Sequence, residues 1–191
     1  MRREYARLEP DPEYAERIYG LDTVSLAIIG RDPFPTAARS IPFVKEAWGQ
    51  LDKRSAGYYL FRSVFGADVE QRYLTPQAAA LALLDEGVVL LNASYFFLEE
   101  EPLSRQAHFD FVNESLDTNF PILERADYSL LCGDAATMMN WVVEFTGGNA
   151  EEVPHPALQA RNRLPAERRG DWDRWWEVGR LRAWLHSRVL R

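Results

Sequence analysis

The sequence has a single cysteine, Cys132, in 191 residues. One thiol excludes an internal disulfide and any site built on several cysteines, whether zinc or iron–sulfur. No apolar run approaches the roughly 20 residues that a membrane-spanning helix needs. No apolar segment follows the basic start "MRREYARLEPDPEY", so a cytoplasmic protein without a secretory signal is expected. The chain also lacks G-x-S-x-G, a Walker-type phosphate loop and G-x-G-x-x-G. Those absences argue against a hydrolase nucleophile elbow, nucleotide hydrolysis and dinucleotide redox chemistry. With no metal-ligand cluster either, no cofactor is expected. There is no internal repeat, no low-complexity tract and no linker, so one domain over residues 1–191 is expected.

What is present is ordinary in bulk and uneven in charge. The chain is 47% hydrophobic and 27% charged, which suits a folded soluble domain. Its net charge of −7 would by itself argue against a nucleic-acid partner. Residues 155–191, however, carry nine arginines against four acids, or +5, which leaves −12 for residues 1–154. A basic face on an acidic body and a solvated arginine-rich helix both fit this pattern.

Three segments read as strands buried on both faces: "VSLAII" (24–29), "GVVLLNA" (87–93) and "DYSLLCG" (127–133). A fourth, "EEVPH" (151–155), repeats the pattern of a strand running into a chemically loaded loop. Helical patterns lie between them. Residues 55–66 place Tyr59, Phe61, Val64 and Phe65 on one broad apolar face. Residues 75–87 open with an N-cap Thr75 and a proline, and close at Gly87. Further helices are predicted over 103–116, 134–145 and 171–190, the last with a stripe of Trp172, Trp175, Trp176, Leu181, Trp184 and Leu185. Such a stripe reads as a docking face rather than a base-stacking platform. Residues 161–171 read as a mobile loop. Strands alternating with helices predict an α/β fold, a three-layer α/β/α sandwich around a central, mainly parallel four-stranded sheet. In such sheets ligands bind beyond the carboxyl ends of the strands.

Asp32, Asn92 and His155 each fall at or just past the end of a different predicted strand. A carboxylate can orient or deprotonate water and stabilise a nearby positive charge. An amide offers a donor beside an acceptor, which suits the edge of a nucleobase. A histidine can donate to an oxygen that becomes negative. Together they suit a hydrolysis in which a sugar turns cationic and its departing base turns anionic. Each also has a plainer reading, as a turn former, a helix N-cap or a surface loop residue.

Four blocks resemble, in order, motifs of the uracil-DNA glycosylase superfamily. "IIGRDPFP" resembles its "GQDPYH" water-activating motif, and "GVVLLNAS" is close to its "GVLLLNA" strand. "LLCGDAA" looks like the strand and glycine turn that follow, and "VPHPALQARN" resembles the "HPSPLS" DNA-intercalating loop. The resemblance implies a DNA partner, a monomer, and roles position by position. Asp32 would hold the attacking water, and Phe43 would stack on the flipped base. Asn92 would read the pyrimidine edge, and His155 would hydrogen-bond the anion developing on the base. Leu158 or Gln159 would be the wedge, with Arg161 and Ser94 as phosphate contacts. The stiff "DPFP" bend would then fix a carboxylate before the reaction begins.

The departures from the family pattern surround the base. Phe34 stands where the family has the tyrosine that crowds C5 of the base, Pro35 replaces a histidine, and Arg31 replaces an uncharged residue beside Asp32. Cys132 alone cannot supply the iron–sulfur cluster of some branches. The substrate implied is uracil or a bulky modified cytosine, such as glucosylated hydroxymethylcytosine of phage DNA, the latter as a bacterial defence. A module that kept the fold but only binds DNA or a modified base is the alternative.

Overall fold

The computed structural model describes residues 6–31, 39–97, 104–147 and 149–189. Contacts gather these into two compact units, Met1–Pro42 with Leu83–Glu152, and Phe43–Ala82 with Val153–Arg191.

The sheet is built from β1 (Leu26–Gly30), β2 (Val88–Asn92), β3 (Tyr128–Cys132) and β4 (Asn149–Val153), in the order β2-β1-β3-β4. It is all-parallel with helices on both sides, the predicted α/β class. β1 pairs parallel with β2 from Leu26↔Val88 to Gly30↔Asn92, and with β3 on its other side. Every residue of β1 and β2 is buried, as strands covered on both faces must be. These runs of Val, Ile and Leu are short and apolar throughout, which is why three strands match their prediction closely. β4 lies two residues earlier than predicted. Its polar "NAEEV" offers no apolar alternation to fix its ends.

Helix α1 (Pro12–Tyr19) was not expected from the sequence. Asp11 caps it by accepting the Tyr14 N–H at 3.0 Å, and Pro12 opens it with a preset φ. Only Tyr14 and Ile18 on its face are buried, too few to make a clear period. Tyr14 is fully placed: the Leu90 N–H donates to its hydroxyl at 2.8 Å, and the hydroxyl donates on to the Leu90 carbonyl at 3.4 Å. β2 is an edge strand, so this phenol closes one rung of an otherwise open ladder. Burial raises the Tyr14 hydroxyl well above the ordinary tyrosine range, so it stays a neutral donor.

In the other unit, α2 (Ala56–Phe65) buries Leu60, Phe61, Val64 and Phe65. Thr75 caps α3 (Pro76–Asp85) as predicted, its Oγ1 accepting the Ala78 N–H at 3.1 Å. Helices α4 (Arg105–Glu114), α5 (Leu116–Leu123) and α6 (Asp134–Thr146) belong to the sheet unit, and α6 packs on β3 and β1.

Two predictions about the C-terminal region are corrected. Residues 161–171 are largely helical rather than a loop: α7 spans Leu158–Arg163, and a 3-10 turn covers Ala166–Arg168. The helix predicted over 171–190 is two helices, α8 (Arg169–Trp176) and α9 (Arg180–Val189). Gly179 separates them with φ +77°, a conformation glycine adopts freely, and its N–H donates to the Arg62 carbonyl at 3.1 Å. The tryptophan stripe is a docking face, as expected, turned inward. Trp172, Trp175, Trp176 and Leu181 are buried within the unit.

Candidate functional site

Asn92 is the last residue of β2 and lies opposite Gly30, the last residue of β1. The ladder continues past both. The Ala93 N–H donates to the Gly30 carbonyl at 2.7 Å, and the Ser94 N–H to the Arg31 carbonyl at 2.9 Å. The chain is therefore held beside Asn92 up to Arg31. Asp32 and Phe34 lie outside the described residues. The Asn92 carbonyl accepts from Asn119 Nδ2 at 2.9 Å, and Asn119 itself is fully buried.

The Asn92 side chain is only 2% exposed, and its Nδ2 has no hydrogen-bond partner among the described residues. Leaving such a donor unmet costs about 1–3 kcal/mol, so its retention calls for a reason. A ligand atom that accepts a hydrogen bond would remove the cost. Ser94 is wholly buried, and its hydroxyl accepts the Phe96 N–H at 3.1 Å in a tight turn. Arg31 is half-exposed and its Nη1 donates to Asp134 Oδ2 at 2.9 Å, at the start of α6. Cys132, at the end of β3, is fully buried, and burial pushes its thiol well up from its ordinary range.

Phe43 and His155 belong to the other unit, their ring centroids 6.1 Å apart and their planes tilted by 44°. Phe43 is 6% exposed and holds φ +66°, a conformation unusual for a bulky side chain. Its carbonyl is packed onto α2, where a Cβ on Gly57 would meet it at 2.2 Å. Only glycine leaves room for that peptide. His155 sits between Pro154 and Pro156. Its Nδ1 accepts the Ala157 N–H at 3.3 Å, so the neutral ring carries its proton on Nε2 and is a donor there. The carbonyls of Pro154 and His155 accept from Trp176 Nε1 at 2.7 Å and Trp172 Nε1 at 3.1 Å.

Leu158 and Gln159 open α7, Leu158 half-buried and Gln159 exposed. Arg161 is engaged: its Nε and Nη2 donate to the two carboxylate oxygens of Asp173 at 2.5 and 3.1 Å, and it lies 5.8 Å from the Trp172 ring centre. The hydrogen bond from Arg161 holds the Asp173 carboxyl below the usual carboxylate range. A phosphate would have to compete with that carboxylate for the guanidinium.

The structure thus brings Phe43 and His155 together in one unit, and sets Asn92 beside the Gly30–Arg31 segment in the other. Sequence reasoning missed Gly57, Trp172, Trp176 and Asn119 as supports. The one available signal was the pair of prolines flanking His155, which strips that turn of two N–H donors. Among the described residues no group of three or more His, Cys, Asp and Glu side chains could hold a metal ion, and no helix is long and apolar enough to cross a membrane.

No family model matches the chain, and no curated protein does. Among solved structures it is similar to wild-type UNG of Nitratifractor salsuginis, at 17% identity and a TM-score of 0.39, over 70% of this chain and 65% of that one. A point mutant of the same protein matches at 17% identity with a TM-score of 0.38, over the same shares. The chain therefore spans about 65% of the length of the solved proteins it resembles.

Proposed function

We propose that the chain is a monofunctional DNA glycosylase, which flips a pyrimidine nucleotide from DNA and hydrolyses its N-glycosidic bond to leave an abasic site. The observation that carries this reading is Asn92: a buried amide at a strand end whose Nδ2 has no partner among the described residues. Uracil offers an acceptor beside a donor on its pairing edge, and cytosine offers the reverse. An amide turned by a half rotation suits either, so uracil and a bulky modified cytosine both remain as substrates. The order of the sequence motifs supports the same reading.

In this reading the base must first leave the stack, at a cost of a few kcal/mol. Leu158 or Gln159 fills the gap, and Phe43 offers a stacking face worth about 1–3 kcal/mol. The glycosidic bond then breaks with its electron pair moving to the base. His155 donates from Nε2 to the oxygen that becomes negative, while the Asp32 carboxylate stabilises the cationic sugar. Asp32 also orients the water that adds to C1′ and takes its proton, which passes to the departing base anion, so no cofactor is needed. Arg31 and Arg161 act on the DNA backbone, Arg161 by exchanging Asp173 for a phosphate, while the buried Ser94 holds the turn after Asn92. The protein works as a monomer on one DNA site.

The test is base release from duplexes carrying uracil, mismatched thymine, hydroxymethylcytosine or its glucosylated form, with alkali converting abasic sites to strand breaks. Breaks with one base, lost in Asp32→Ala and Asn92→Ala, support the glycosylase and name its substrate. Breaks confined to the glucosylated base support a role against phage DNA. Modified DNA bound equally by wild type and both variants, with no base released, overturns the catalytic reading in favour of a binding module.

A further inference from the structure

His155 is surrounded by unusual backbone. In Val153-Pro154-His155-Pro156 the two prolines have no N–H, so the turn cannot be stitched by its own ladder. Two buried indoles replace that ladder. Trp176 Nε1–H donates to the Pro154 carbonyl at 2.7 Å, and Trp172 Nε1–H to the His155 carbonyl at 3.1 Å. The two residues lie four apart on α8, hence on one face of it. Trp172 and Trp176 are 3% and 0% exposed, so each N–H would be a buried orphan without its carbonyl. The Trp172 ring is itself braced by Tyr59, edge-on at 4.9 Å.

We propose that Trp172 and Trp176 are positioning residues for His155. Between them they hold the peptide planes on both sides of its Cα, and so aim the ring. Held there, Nδ1 meets the Ala157 N–H, and that contact keeps the ring proton on Nε2. The indoles never touch substrate. They act by fixing which nitrogen of the imidazole donates, and in what direction.

The tautomer can be read without any assay of activity. In ¹⁵N-labelled protein the chain has only three histidines, and His155→Gln assigns the resonances of His155. Wild type is expected to show His155 protonated on Nε2, and Trp172→Phe to show a mixture of tautomers. Should Trp172→Phe not fold, benzothienylalanine at position 172 keeps the bicyclic shape and removes only the N–H. An unchanged tautomer in the folded variants at both 172 and 176 overturns the proposal.

The kinetic arm rests on the glycosylase reading. With whichever DNA base is released, Trp172→Phe is expected to slow single-turnover release by about 10–100-fold, since small misplacements of a reacting group cost rate on that scale. DNA affinity should stay within about a factor of two, and the substitution should add nothing in a His155→Ala background. An equal loss in that background overturns the positioning role. No release from any DNA, with the expected tautomer change, sinks the glycosylase reading and leaves the positioning role standing.

Discussion

Asn92 and His155 are both held at the ends of β-strands, but by opposite means. Asn92 is placed by main chain: a parallel register that continues through Ala93 and Ser94 fixes its Cα, and its side-chain Nδ2 has no partner among the described residues. His155 is placed by side chains: its flanking prolines remove the donors a ladder would use, and distant tryptophans supply them. The difference teaches where each position is vulnerable. A regular ladder tolerates a change of side chain because backbone bonds carry the geometry. A turn held by indoles depends on residues 17 and 22 positions away.

The largest expected effect tests the first half of that contrast. Asn92→Leu keeps the ladder and removes the buried donor, so base release should fall roughly 100-fold or more. Its stability should be equal to wild type or higher, because an apolar group of similar shape leaves nothing unmet. Denaturant unfolding beside single-turnover release checks both; a clear loss of stability would mean that Nδ2 is satisfied in the free protein. Next, Gly57→Ala drives a Cβ into the Phe43 carbonyl and should destabilise by about 1–3 kcal/mol, the usual range for overpacking. An unchanged denaturation midpoint would show that the Phe43 peptide is not locked against α2. Tyr14→Phe uncovers one rung of the β2 edge and should cost about 1–2 kcal/mol, with base release unchanged. A loss of release here would break the claim that the ladder alone sets Asn92.

The smallest effect concerns pH. The Asp173 carboxyl is depressed in the folded protein by its bond from Arg161, so its contribution is present above the unfolded carboxylate pKa of about 3.9. It is lost as pH falls through the lower folded value. Asp173→Asn should flatten that acid limb by less than about 1 kcal/mol, as a partly exposed pair allows. Melting temperatures of the two proteins that fall in parallel as the pH drops would count against the pair.

Much of the sheet was legible because β1, β2 and β3 are buried on both faces and so consist almost wholly of apolar residues. The ends of these strands also located Asn92. β4 was legible only by position, since its residues are polar. Helix α1 was invisible because it buries one tyrosine and one isoleucine over eight residues, too sparse for periodicity to register. The Trp-rich segment gave the right burial signal and the wrong shape, because Gly179 fits inside an apolar helical stripe as well as between two helices. Beyond the two prolines that flank His155, the supports of Phe43 and His155 were not legible. They depend on a carbonyl meeting a glycine 14 residues on and on carbonyls meeting indoles, and main-chain acceptors leave no trace in side-chain patterns.

The buried thiol of Cys132 makes the native chain chemically quiet toward maleimides and iodoacetamides, which attack thiolates. No cysteine need be removed before a reporter is attached. Leu74, 93% exposed, is a natural place for it, and Leu74→Cys would give a singly labelled protein.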